Sequence, residues 1–204
     1  MTLQEIIQAR RTIRDFAGRE VPEEVIHRAL TAGLQAPSHN HQKDWHFVLL
    51  KDHGAKLACI HAEGRSAAVT EQMLKNISAY EPLAQEMYLE AIPKQNKMVL
   101  DAPAVLVMVF KPGSRLFDSK NVADMNSLAA AWCCIENMLL SFAEDGVYGT
   151  TLVPQNTPAL KKALGIPDDM EVAAVIPFGY KASDATILPQ KEVAMEERIH
   201  LNAW

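Results

Sequence analysis

The segment from Val122 to Glu144, which runs through S-L-A-A-A-W-C-C-I-E-N-M-L-L-S-F-A, constrains the fold most. It has helical composition and is apolar on nearly every face except at Asn126, Glu136 and Asn137, and Gly146 follows as a stop. A helix so apolar must be surrounded. A chain of 204 residues, 49% hydrophobic and 22% charged, suffices for one domain spanning 1–204 and not comfortably for two. Part of the cover is therefore expected from a second copy, as in an obligate homodimer.

The other elements follow from caps and periodicity. Thr2 and Glu5 form a capping box for a short first helix carrying Leu3, Ile6 and Ile7. Val21-Pro22-Glu23-Glu24 starts a second helix, with Val25, Ile26, Ala29 and Leu30 as its buried face and an end before Pro37. W-H-F-V-L-L at 45–50 and A-V-L-V-M-V-F at 104–110 read as interior strands, with Trp45 and His46 packed inside. Between them, His53 to Leu100 is helical, with breaks near Ser78, Pro82 and Pro93. Its Met73, Met87 and Met98 serve either as adaptable core or as the floor under a flat aromatic ligand. A strand over Tyr148–Val153, a helix from a Thr157 cap to Leu164 and a strand over Val172–Gly179 complete the core. The amphipathic tail 187–204 is either loose or docked on the partner subunit.

A net charge of -5 argues against a nucleic-acid partner and for a small molecule. Cys59, Cys133 and Cys134 make neither a disulfide framework nor a C-x-x-C zinc spacing, so a reducing, cytoplasmic setting is expected. The first residues lack the pattern of a signal peptide, and Glu136 and Asn137 interrupt the most apolar stretch, so no membrane span is expected.

Three arginines, Arg10, Arg11 and Arg14, lie within A-R-R-T-I-R-D-F, where they repel one another unless an anion neutralises them. A bound phosphate and a solvated charged face are the two readings. Thr12 adds a hydroxyl, and the spacing of Arg10 and Arg14 places them on one face of a helical turn at the end of the first helix, where the macrodipole favours cations. The loop A-P-S-H-N-H-Q-K-D-W gathers Ser38, His39, Asn40, His41 and Gln42 between a helix and a strand, a place where binding groups commonly lie. His39, His41 and His46 have no Asp or Glu at ligand spacing, so no metal is expected, and Ser38 lacks a G-x-S-x-G elbow. Glu136 either orients a ligand or is a buried carboxylate capped by Asn137 and a partner-chain donor.

R-R-T-I-R-D-F, V-P-E-E-V-I, A-P-S followed by W-H-F-V, the E-N-M-L-L helix ending in E-D-G-V-Y-G, and I-P-F-G-Y, in this order, resemble the FMN-dependent nitroreductase family over essentially the whole chain. The resemblance implies a three-layer α+β fold with a mostly antiparallel central sheet flanked by helices. It also implies an intertwined homodimer with FMN at the interface, and ping-pong electron transfer from NADH or NADPH through FMN to a nitro, quinone or other electrophilic acceptor. On the same basis Arg10, Arg11 and Thr12 match phosphate and ribityl contacts, and Arg14 matches the cation at the flavin pyrimidine edge. Pro37, Ser38 and His39 match the segment that the opposite subunit lays along the flavin. Gly149, Thr150 and Thr151 match the loop that addresses flavin N5, and Lys191 matches a tail cation on the phosphate. No side chain is assigned a catalytic role, since the chemistry would be carried by FMN. His41-Gln42-Lys43-Asp44 departs from the family's usual residues, with His41 where many members have Asn. The alternatives are an FMN-binding or sensing protein without nicotinamide turnover, and a specialised member with one dedicated substrate. The acceptor depends on a lid expected between Gly64 and Pro93.

Overall fold

Alternate side chains of the run Ala104–Phe110 enter two separate cores in the computed structural model, which describes residues 1–113 and 116–204. The chain begins with α1 (Leu3–Ala9), α2 (Glu23–Leu34), β1 (Trp45–Leu50), α3 (His53–Glu63), α4 (Glu71–Ile77) and α5 (Pro82–Ala91). It continues with α6 (Lys97–Asp101), β2 (Ala104–Phe110), α7 (Asn126–Glu144), β3 (Val147–Gly149), α8 (Thr157–Leu164) and β4 (Glu171–Tyr180). The strands lie in the order β1-β2-β4-β3, with every neighbouring pair antiparallel.

Because side chains alternate along a strand, Ala104, Leu106, Met108 and Phe110 pack against α2 and α7, while Val105, Val107 and Val109 pack against α3, α6 and α8. The result is the expected three-layer α+β architecture. Met108 opposes Ala174 and Val109 opposes Val172, which leaves Ala173 as the extra residue of a bulge. The facing of β4 changes there: Ala174, Ile176 and Phe178 join the α2–α7 core, whereas Val172 lies in the other. Gly33 lets α2 approach α7, since a Cβ there would lie 2.6 Å from Met138 Cγ. Among the described residues no helix is long and apolar enough to cross a membrane.

Several elements differ from the sequence reading. The expected interior strand at 45–50 is an edge strand, because among the described residues no strand pairs with its outer side; Trp45 is buried, but His46 is exposed and lies 3.1 Å from Asp44. The long helix starts as a 3-10 turn at Val122–Met125 before becoming α-helical at Asn126. The strand expected over 148–153 shortens to β3, and Leu152 makes a separate bridge to Val175. The cap of α8 is Asn156, whose side chain accepts from the Ala159 N–H, so Thr157 is already helical. The breaks at Ser78, Pro82 and Pro93 and the Thr2–Glu5 capping box are as expected.

Candidate functional site

The arginine cluster is not helical. α1 ends at Ala9, and Arg10 has extended backbone (φ −60°, ψ 118°), which overturns the expected helical turn shared by Arg10 and Arg14. The segment instead runs along the sheet. Thr12 forms a parallel bridge with Gly149, Phe16 an antiparallel bridge with Lys181, and the Ala17 N–H donates to the Tyr180 carbonyl at 2.8 Å. Buried Ile13 and Phe16 anchor it in the core beneath α3, α6 and α8. Residues 137 positions apart in sequence, Thr12 and Gly149, are thereby joined at one edge of the site.

Carboxylates of the chain answer part of the cationic charge. Arg10 Nε lies 3.4 Å from Glu136, and Arg14 Nη1 lies 2.6 Å from Glu90. Lys94 pairs with both Asp15 (2.5 Å) and Glu90 (2.7 Å). Burial opposes the Lys94 charge, but the hydrogen bonds that Lys94 donates to Asp15 and Glu90, with the attraction of both carboxylates, outweigh it and raise its pKa. Arg11 is different. Its guanidinium donates only to the carbonyls of Gln8 and Arg10 and pairs with no carboxylate among the described residues. Glu136 is half exposed rather than buried, and Asn137 does not cap it but donates to the Ala32 carbonyl at 3.2 Å.

Three cavities surround this segment. One of about 200 Å³ is lined by Arg10, Arg11 and Thr12 together with Gly149, Thr150 and Thr151. A second, of about 320 Å³, is lined by Arg10, Arg11, Arg14 and the tail residue Lys191, with Glu81 as its one carboxylate; Lys191 Nζ lies 2.6 Å from Glu81. A third, of about 840 Å³, joins Thr12 and Arg14 to Thr150–Gln155 and to α4 and α5. The structure thus brings Arg10, Arg11, Thr12, Arg14, Gly149, Thr150, Thr151 and Lys191 together. Gly149 has a packing reason of its own, because a Cβ would meet the Pro177 carbonyl oxygen at 3.3 Å and Ile176 and Leu139 at 3.4 Å. The Thr150 N–H donates to the Pro177 carbonyl and the Leu152 N–H to that of Val175, which ties the loop to β4.

Pro37, Ser38, His39 and His41 line none of these cavities. They form an exposed loop after α2 that closes on itself: the Lys43 N–H donates to Ser38 Oγ, and Lys43 Nζ to the Leu34 carbonyl. Asn40, His41 and Lys43 all have positive φ (52°, 52° and 44°), a conformation that costs non-glycine residues energy and concentrates at ligand clamps and switch regions. Sequence reasoning did not find Glu81 and Arg65, which line the cavities, or Glu90 and Glu63, which pair with the lining residues Arg14 and Arg65. No motif marks them, since each is a single charged residue in an ordinary amphipathic stretch. Cys59 and Cys134 contribute no reactive thiol; burial pushes their pKa up to about 11 and about 12.

Comparison with known proteins gives the family of the chain. The chain is 28% identical over 200 residues to mouse iodotyrosine deiodinase 1, covering 95% of this chain and 67% of that protein. It is 26% identical over 210 residues to a Methanothermobacter thermautotrophicus protein with the provisional name NADH dehydrogenase/NAD(P)H nitroreductase, covering 100% and 88%. Among solved structures, oxidized iodotyrosine deiodinase bound to FMN and 3-iodo-L-tyrosine superimposes with a TM-score of 0.76 at 18% identity, covering 100% of both chains. The NADPH:FMN oxidoreductase of Vibrio harveyi gives 0.71 at 16% identity, covering 99% and 77%. Residues 7–180 match the model of the Nitroreductase family, and the chain belongs to that family.

Proposed function

We propose that the protein is an FMN-dependent oxidoreductase that passes electrons from NADH or NADPH to an electrophilic small molecule, working as a homodimer. The Thr12–Gly149 bridge is the observation that carries the reading, because it sets the cation cluster beside the Gly149–Thr151 loop, and both line one cavity. The donor set fits FMN: Arg10, Arg11, Arg14 and Lys191 line the adjoining cavity with Glu81 as the one carboxylate among the described lining residues, which suits a phosphate. Arg10, Arg11 and Lys191 would hold the phosphate, with Arg11 the cation whose hydrogen bonds are least committed. Arg14 would stabilise negative charge on the reduced ring, moderated by Glu90 at 2.6 Å. With FMN bound, the chemistry supplied is hydride acceptance from the nicotinamide and delivery to the acceptor. The partner subunit's Pro37–His41 loop is assigned to the open side of that site.

The test is the visible spectrum of purified protein followed by anaerobic addition of NADH or NADPH. Yellow protein that bleaches supports the reading. Yellow protein that bleaches only with dithionite replaces it with a flavin-binding protein or a different electron source. A second reading, reductive dehalogenation of one aromatic substrate, is favoured by the iodotyrosine deiodinases among the relatives. Iodide release from an iodophenol by the pre-reduced protein, with no nitroaromatic reduction, would select it.

A further inference from the structure

We propose that the cavity of about 840 Å³ takes an aromatic acceptor with an anionic substituent, a carboxylate or phenolate, and that Arg65 holds that substituent. The assignment rests on the flavin reading, in which Arg14 and the Gly149–Thr151 loop border the ring, so that an acceptor stacked on the ring would extend into this cavity.

The lining separates into two chemistries. Met73, Met87, Tyr88, Ile92 and Leu152 give apolar walls suited to a flat ring, and the volume is in the range of small-molecule sites. The charged side chains on its surface are Arg14 and Arg65, and no carboxylate lines it among the described residues. An ammonium group here would find guanidinium donors and no carboxylate on the lining among the described residues.

Arg65 is built as an anchor. Its Nε and Nη2 donate to one oxygen of Glu63 at 3.1 and 2.7 Å, and Nη2 also donates to the Val153 carbonyl. Its own carbonyl accepts from Asn96 Nδ2 at 3.1 Å, and that of Ser66 accepts from Gln95 Nε2. Glu63 is buried as well and accepts from the N–H groups of Gln155 and Asn156 at 3.1 and 3.5 Å. The Arg65 side chain is only 9% exposed, yet Nη1 has no protein partner among the described residues. A guanidinium is rigid and planar, so fixing one edge leaves the remaining N–H donors aimed in a set direction. Glu63 already balances the formal charge. What Arg65 offers a ligand is therefore charge-assisted hydrogen bonding from a desolvated, immobile group, with the Thr70 and Ser66 side chains on the same wall.

The experiment is calorimetric titration of the FMN-loaded protein with 4-nitrobenzoate, 4-nitrobenzyl alcohol and 4-nitrobenzylamine, which share a ring and differ in charge. The benzoate is expected to bind roughly tenfold tighter than the alcohol, and the amine weaker than both. Equal affinities, or tighter binding of the amine, overturn the proposal. In the double variant Glu63→Gln, Arg65→Met, which keeps the interior neutral, the preference is expected to vanish with FMN content retained. A preference that survives the double substitution assigns the anion to another group and overturns the role of Arg65. Should that variant fail to fold, the wild-type series decides whether the cavity selects anions, and Arg65→Lys, expected to weaken the benzoate alone, decides the residue. Failure of nicotinamide to bleach the flavin, with the anion preference intact, removes the donor reading and leaves the cavity assignment standing. Normal bleaching without the preference does the reverse.

Discussion

Arg14 and Glu90 meet at 2.6 Å, and both side chains are about nine-tenths buried, at 12% and 11% exposed. The pair joins the segment that follows α1 to the last turn of α5, in the region where a lid was expected. Lys94 and Asp15 extend it into an alternating network of two cations and two carboxylates. The charge that Arg14 presents to a ligand is therefore set by α5 as much as by Arg14 itself.

Removing the carboxylate should change that charge. Glu90→Gln is expected to raise the midpoint potential of bound flavin, because an unneutralised guanidinium favours the reduced, more negative ring, and Arg14→Ala is expected to lower it. Equilibrium reduction against a reference dye measures both. Equal potentials in the two variants would place Arg14 away from the flavin.

Arg11 is the arginine whose side chain is committed only to carbonyls. Arg11→Ala should weaken FMN by about 1.5–3 kcal/mol, roughly tenfold to a hundredfold, with little loss of fold stability. Fluorescence titration of apoprotein with FMN reads the affinity, and thermal unfolding of the apoprotein reads the fold.

Gly179 tests the fold that supports the site. A Cβ there would lie 2.6 and 2.9 Å from the rigid ring of Pro103, which cannot rotate away. Gly179→Ala should cost about 1–3 kcal/mol, as overpacking does. Urea unfolding measures it; an unchanged midpoint would mean that β4 shifts freely past Pro103.

Lys94 gives a pH dependence of known sign. Its folded pKa is raised above the ordinary lysine value, 10.5, so its stabilisation is complete below that value and is lost as pH rises through the raised one. Unfolding midpoints should fall more steeply as pH rises above 10.5 in the wild type than in Lys94→Met.

Assembly follows from exposed apolar side chains. Leu3 and Ile7 of α1 and Ile199, Leu201 and Trp204 of the tail are all largely uncovered in the single chain. Light scattering should give twice the chain mass at low micromolar concentration, and deletion of 193–204 should shift the population towards monomer. A flavin-loaded monomer would contradict the assignment of Pro37–His41 to the opposite subunit.

Local chemistry determined much of this protein from sequence. Thr2 and Glu5 capped α1, Pro82 and Pro93 broke the helical stretch where they stand, and the unbroken apolar run of β2 required cover on both faces. These signals need only neighbours within a few residues. The cation cluster was legible because like charges crowded in sequence demand an answer from somewhere. What answered them was not legible. Glu136 of α7 and Glu90 of α5, more than seventy positions along the chain, meet Arg10 and Arg14 only in the folded structure. The same holds for His46, which alternation along β1 turns outward on an edge strand, and for Arg65, which only the Glu63 carboxylate and the Val153 carbonyl fix in place. Contacts between residues far apart along the chain are settled by sheet order and layer packing, and a single sequence carries no local signal for either.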